Sequence, residues 1–302
     1  MNKMPNFFIV GAARSGTTSL DQYFRQHPEI YMAPNKEMHY FAVNQFPSCF
    51  KGPGDESLNK MIVRDEVQYR QFFANTAGKK VIGEASAFYL CFPGTAEQIA
   101  QAVPDAKIIV ILREPVARAY SAYMLLVRDG RETLGFAESL SLEEERKRGE
   151  FEPMWWYREL SLYYKQVKRY LDVFGTQQVK VVLYDELFTN SKSVLWDIFN
   201  FLGVKEDVAI NTSIRYGSAG VPRSRTLYTF LDNVINNQSP FGKYIKSLLP
   251  LQQLAPWAVK ALEMSLQPVP IDSQTHAQLK EYFAEDVRKL EDLLHRDLLS
   301  WH

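Results

Sequence analysis

The chain has 302 residues, 46% hydrophobic and 23% charged, an ordinary composition for a globular protein with a sizeable core. Lys+Arg and Asp+Glu number 35 each, so the formal net charge is zero and a strongly basic nucleic-acid binder is disfavoured. The two cysteines, Cys49 and Cys91, are too few for a disulfide framework or a metal-ligand cluster, and a reducing, cytoplasmic setting is expected.

The apolar run from Phe7 to Ala13 is too short to span a membrane and meets Arg14 at once, and no other stretch qualifies. Phe7–Val10 reads as a buried strand, followed by a helix with Leu20, Tyr23 and Phe24 on one face. Val81-Ile82 is a weaker strand candidate and Lys107–Leu112 a strong one. Pro115 suits the first turn of a helix running through Val116, Tyr120, Tyr123 and Met124. Leu160, Tyr163, Tyr164, Val167, Leu171 and Phe174 mark a helix face that Gly175 ends. Val179–Leu183 is a third strong strand, and Val194, Leu195, Ile198, Phe199 and Leu202 mark a helix stopped by Gly203. Residues 216–270 hold prolines that include Pro222, Pro250, Pro256, Pro268 and Pro270, and read as loops and short helices over the sheet edge. A last helix has Leu279, Tyr282, Phe283, Val287, Leu290 and Leu294 on one side. Strand followed by helix, repeated, predicts one α/β domain over 1–302 with a parallel sheet covered by helices on both faces.

Gly11-Ala12-Ala13-Arg14-Ser15-Gly16-Thr17-Thr18 joins the first strand to its helix. Glycines there let backbone N–H groups turn inward, and the helix N-terminus adds donors and partial positive charge, so an anion is the natural occupant. The glycines have P-loop spacing, but Gly16 is followed by Thr17 and Thr18 instead of the Lys that grips a triphosphate. The cation is Arg14, inside the loop, which suits a 5′-phosphate cradle without Mg²⁺. A second strand-to-helix junction holds Arg113 and Ser121, at the edge of the sheet where ligands bind. They can share a phosphate; alternatively Arg113 pairs with Glu114 or Glu84. The third basic cluster is Arg223-Ser224-Arg225, which can close over a nucleotide or lie exposed in its loop.

The Arg14 loop, the segment Leu112-Arg113-Glu114-Pro115-Val116-Ala117-Arg118-Ala119-Tyr120-Ser121 and the later Arg-Ser-Arg together resemble the superfamily of sulfotransferases that use 3′-phosphoadenosine 5′-phosphosulfate (PAPS). The similarity is greatest to a bacterial branch near the heparan sulfate type. It implies a P-loop-like fold with about five parallel strands. It implies that Ala13, Arg14, Ser15, Gly16, Thr17, Thr18 and Ser19 hold the 5′-phosphosulfate end. Arg113 and Ser121 match the positions that hold the 3′-phosphate, and Arg223, Ser224 and Arg225 those of a basic loop covering it, within the lid region 216–270. Lys36-Glu37-Met38-His39-Tyr40 matches a signature in which the glutamate is a candidate general base, so Glu37, His39 and Arg14 are the expected catalytic residues. One departure stands out: where the heparan type has a second lysine, this chain has Ala85, leaving Arg14 alone or helped by a side chain such as Lys36.

The implied reaction moves a sulfuryl group from PAPS to an acceptor hydroxyl, of carbohydrate, lipid or polyketide type, and releases adenosine 3′,5′-bisphosphate (PAP). No metal is expected, because a sulfuryl group carries one negative charge fewer than a phosphoryl group. The alternatives are a P-loop nucleotide kinase, which the missing Gly-Lys-Ser/Thr opposes, and a non-catalytic adenine-nucleotide binding module, which the presence of both Glu37 and His39 opposes.

Overall fold

The fold was described from a computed structural model, over residues 4–216, 220–222, 266–267 and 269–302. Arg223, Ser224 and Arg225, with most of the expected lid, lie outside the described residues.

Five parallel strands form one sheet in the order β2-β3-β1-β4-β5: β1 Phe7–Gly11, β2 Ile30–Met32, β3 Val81–Ala85, β4 Lys107–Leu112 and β5 Val179–Leu183. The three strong apolar runs are strands within a residue of their expected limits. The weak candidate at Val81 extends through Gly83 and Glu84, and β2 was not anticipated, since three residues are too few to show an alternating pattern. Side chains of a strand alternate between faces, and β4 shows the consequence. Ile109 and Ile111 pack with Phe7, Ile9, Phe24 and Phe199 on one face, and Ile108, Val110 and Leu112 with Val116, Val167 and Tyr170 on the other.

The helices are α1 Thr17–Phe24, α2 Glu56–Met61, α3 Glu66–Gln71, α4 Thr95–Ala102, α5 Pro115–Arg128, α6 Phe136–Ser141, α7 Glu143–Arg148, α8 Tyr163–Phe174, α9 Tyr184–Thr189, α10 Ser191–Leu202 and α11 Ser273–Leu294. Pro115 opens α5, and the Glu114 carboxylate caps it by accepting Val116 N–H at 3.2 Å and Ala117 N–H at 2.6 Å. Gly175 and Gly203 follow α8 and α10 with φ of 72° and 75°, the left-handed values that end a helix. In α11 Leu279, Phe283, Val287 and Leu290 are buried as expected, but Tyr282 is 48% exposed, because it falls beside the apolar stripe.

Because β1 pairs with β3 on one side and β4 on the other, the loops leaving β1 and β4 diverge at the carboxyl edge of the sheet. That is the crevice where open α/β sheets hold ligands.

Candidate active site

Gly11 ends β1 against the turn after β3. A Cβ there would come within 2.8 Å of the Ala87 carbonyl and 2.7 Å of Leu90 Cβ, so only glycine lets the loop leave the strand this way. Gly16 precedes α1 with φ 96°, and no side chain caps the helix, so its first amides are left for a ligand. Arg14, also left-handed at φ 68°, turns back across the loop, and its Nε donates to Ser121 Oγ on α5 at 3.1 Å. The two expected phosphate subsites are therefore joined through Arg14. Arg113 donates from Nη1 to the Arg14 carbonyl at 3.4 Å, and its guanidinium lies 4.5 Å from the Tyr184 ring centroid. The pairing of Arg113 with Glu84 or Glu114 does not occur among the described contacts: Glu84 is buried among hydroxyls and Glu114 caps α5. Burial, then the neighbouring charges of Arg128 and Arg113, pull the Arg14 pKa well below its ordinary value. Cations gathered in this way favour an anion between them.

The segment after β2 brings the other half of the site. Glu37 N–H donates to the Ala85 carbonyl at 2.9 Å, which places Glu37 at the end of β3. In an extended segment Glu37 and His39, two residues apart, would point the same way. The backbone is instead left-handed at both, with φ of 61° and 51°, so the side chains meet through a turn. His39 Nε2 lies 3.2 Å from Glu37 Oε2. His39 is 0% exposed and stacks on Phe88 at 5.0 Å, so it backs the carboxylate and presents no open face. Lys36 Nζ donates to Glu37 Oε1 at 2.6 Å and to Thr17 Oγ1 and Thr18 Oγ1 at 3.1 and 3.2 Å. Lys36 thus supplies a cation at the loop where Ala85 cannot. Burial raises the Glu37 carboxyl, but the Lys36 charge and the His39 contact outweigh it, and the net pKa is well below the carboxylate range. The cation that opposes burial here is Lys36.

Ala13, Arg14, Gly16, Thr17, Thr18, Lys36, Glu37, His39 and Arg113 line one cavity of about 440 Å³. Ser15 is buried, and Ser19 is turned aside, its Oγ accepting Tyr216 N–H at 2.9 Å. Beyond Glu37 the wall is made by Leu58, Met61, Phe88 and Met154, with Arg131 and Glu152. Arg131 is held by Asp55 and, at 2.6 Å, by Glu152. Tyr184, Arg131 and Glu152 were not singled out in the sequence. Tyr184, which follows β5 directly, could have been found from the rule that strand ends face the ligand. Of the aromatic run Trp155-Trp156-Tyr157, which by sequence fits either an acceptor wall or core, Trp155 and Tyr157 are core at 1% and 0% exposure and Trp156 packs partly buried against it. Among the described residues no group of acidic, His or Cys side chains is placed to hold a metal, and no helix is long and apolar enough to cross a membrane.

The profile of the Sulfotransferase family matches residues 5–207. A crystal structure of a sulfotransferase from Alicyclobacillus acidocaldarius is 43% identical, superposes with a TM-score of 0.79, and covers 99% of both chains. Human heparan sulfate glucosamine 3-O-sulfotransferase 3B1 is 26% identical over 203 residues, which is 67% of this chain and 47% of the relative. The membrane-associated sulfotransferase kil1 of Dictyostelium discoideum is 34% identical over 120 residues, 40% of this chain and 22% of the relative. The chain thus spans less than half the length of these two curated relatives. A profile match that takes in β1 through α10, and so both loops at the sheet edge, shows that the chain belongs to the sulfotransferase family.

Proposed function

We propose that the chain transfers a sulfuryl group from PAPS to an acceptor hydroxyl. The observation that carries this reading is the convergence, in one cavity, of a half-buried Arg14 bonded to Ser121, Lys36 at the Thr17 and Thr18 hydroxyls, and a carboxylate at Glu37. The open amides at the start of α1 and the cations fit a phosphosulfate, and Arg113 with Ser121 fits a second phosphate. In the reaction the acceptor oxygen bonds to sulfur as its proton passes to Glu37. The bond from sulfur to the 5′-phosphate oxygen breaks, and its electron pair stays on PAP. By analogy with phosphoryl transfer the transition state is loose, so the chain's work is positioning and stabilisation of the leaving oxygen by Arg14, Lys36 and the loop amides. Lys36 holds Glu37 in the free protein; a sulfate drawing Lys36 toward itself leaves the carboxylate more basic, in step with donor binding.

The acceptor end supports a hydroxyl compound with an uncharged, apolar body. Leu58, Met61, Phe88 and Met154 offer apolar contact, and Arg131 is already offset by Asp55 and Glu152. Heparan sulfate, the polyanion named for the human relative, would meet an Arg131 already paired with two carboxylates there. Radiolabelled PAPS offered to alkyl and aryl alcohols and to heparan sulfate oligosaccharides, with EDTA present, tests both statements. The expected result is transfer to the uncharged alcohols, no transfer from ATP, and no effect of EDTA. Activity only with Mg²⁺ and ATP would return the chain to the kinase reading; sulfation of the oligosaccharides alone would reverse the acceptor assignment.

Arg113 is assigned to the 3′-phosphate, with a further bond to the loop carbonyl of Arg14. Arg113→Ala is expected to weaken PAP by roughly 10- to 100-fold, the loss of one charge-assisted contact of about 1.5–3 kcal/mol. Adenosine 5′-phosphosulfate, which lacks that phosphate, should lose far less, retaining only the indirect effect of the loop bond. Calorimetric titration of both ligands decides: equal losses would make the arginine structural.

A further inference from the structure

Glu84, in β3, is 0% exposed and has no part in the roles above. Its carboxylate accepts three hydroxyls: Ser86 on Oε1 at 2.5 Å, and Tyr69 and Tyr89 on Oε2 at 2.7 and 3.1 Å. Two of these hydroxyls also accept. Ser86 Oγ takes the backbone N–H of His39 at 3.0 Å, and the Tyr89 hydroxyl takes that of Phe41 at 3.2 Å. A hydroxyl has one proton to give. Ser86 and Tyr89 direct theirs to Glu84, so their lone pairs are turned toward the two amides. An ionised carboxylate, which only accepts, is what fixes the direction of every bond in this chain. The third hydroxyl differs: the Tyr69 ring stacks on Tyr40 at 4.3 Å, and its bond to Glu84 leads to no backbone amide of residues 39–41 among the described contacts.

The segment held in this way is the one that carries the base. Glu37 and His39 are left-handed, a conformation that costs a side-chain-bearing residue roughly 1–2 kcal/mol and persists only where its surroundings impose it. We propose that Glu84 is a positioning residue for sulfuryl transfer, clamping the backbone at His39 and Phe41 through the hydroxyls of Ser86 and Tyr89 so that Glu37, backed by His39, is presented at the acceptor. This rests on the assignment of Glu37 as base. Burial raises the Glu84 carboxyl to about 7 against the three hydroxyls, with Glu37 raising it further, so the ionised form that orients the clamp prevails above that value and gives way to the protonated form below it. An amide cannot replace it: the NH₂ of Gln would face a hydroxyl proton, forcing Ser86 or the tyrosine pair to turn away.

The test compares Glu84→Gln, Ser86→Ala, Ser86→Thr and Tyr69→Phe at matched thermal stability. Small displacements of a catalytic group, on the order of 1 Å, cost up to about 100-fold. Glu84→Gln is therefore expected to lower kcat by roughly 10- to 100-fold and Ser86→Ala by about 10-fold, both with PAP affinity unchanged. Ser86→Thr, which keeps the hydroxyl, should restore most of the rate. Tyr69→Phe, which removes a bond to the carboxylate but no amide partner, should cost severalfold less than Ser86→Ala. Equal losses in Ser86→Ala and Tyr69→Phe, or a fully active Ser86→Ala, overturn the proposal. Backbone amide exchange at His39 and Phe41 is followed in the same proteins without donor or acceptor: faster exchange in Glu84→Gln is expected, and unchanged protection also overturns it. Exchange judges the clamp, whereas PAP binding by the unsubstituted protein judges the donor reading, so the two fail separately.

Discussion

Glu37→Gln is expected to abolish most sulfuryl transfer, by on the order of 10²–10⁴ in single-turnover rate, while the protein still binds PAP. The amide keeps the shape and can still accept Ala87 N–H, which donates to Glu37 Oε2 at 2.7 Å, but it cannot take the acceptor's proton. His39→Ala should lose less in transfer, because His39 backs the carboxylate without an open face of its own, although removing a ring stacked on Phe88 will lower stability. The pH dependence has a defined sign. Glu37 is depressed in the free fold, so its contribution to stability is present above the unfolded value near 4.5 and is lost as pH falls through the lower folded pKa. Glu37→Gln should remove that acid-side loss, seen in melts at pH 3–4 against pH 7. A normal rate for Glu37→Gln, together with a dead His39→Ala, would move the base to His39.

Arg14→Ala is the second large effect, expected at on the order of 10²–10³ in rate, comparable with removing one oxyanion donor. Arg14 bridges the loop and Ser121, and in the proposed reaction it stabilises the leaving phosphate oxygen. Its side chain is half-buried beside Arg113 and Arg128, and desolvation with those like charges, opposed in part by Asp129, disfavours its charge. The free variant should therefore melt no lower than the parent. Ligand that binds only the folded state raises its stability, so the PAP-induced rise in Tm should be large for the parent and small for Arg14→Ala. Arg14→Lys should rescue little, since an ammonium does not reproduce a guanidinium that spans loop and helix. Full activity in Arg14→Ala with a normal PAP shift would remove Arg14 from the cradle.

Much of the architecture is legible locally. Ile108 to Leu112 is apolar on both sides of the strand because both faces of β4 are covered, and Pro115 with Glu114 starts α5 by fixed φ and a capping carboxylate. Gly175 and Gly203 end their helices because a left-handed residue is cheapest without a side chain. The cradle is equally local: strand, glycine, Arg14, glycine and helix follow one another within a dozen residues. Such features depend on short-range sterics and periodicity, which a single chain segment carries in itself.

What the tertiary structure decided lies between segments. Arg14 meets Ser121 across 107 positions, and it does so because β1 and β4 are neighbours in the sheet, an order no local pattern states. Lys36 reaches Thr17 and Thr18 because the chain after β2 crosses the end of β3 and returns to α1, which turns an apparent loop lysine into the cation missing at Ala85. The left-handed Glu37 and His39 are likewise invisible in sequence, since the bonds that surround them come from the distant segment at the end of β3, from Ala85 and Ala87 to Glu37 and from Ser86 to His39. Short strands such as β2 fall in the same class: three residues carry too little pattern to be recognised, and it is pairing with β3 that makes Ile30–Met32 a strand.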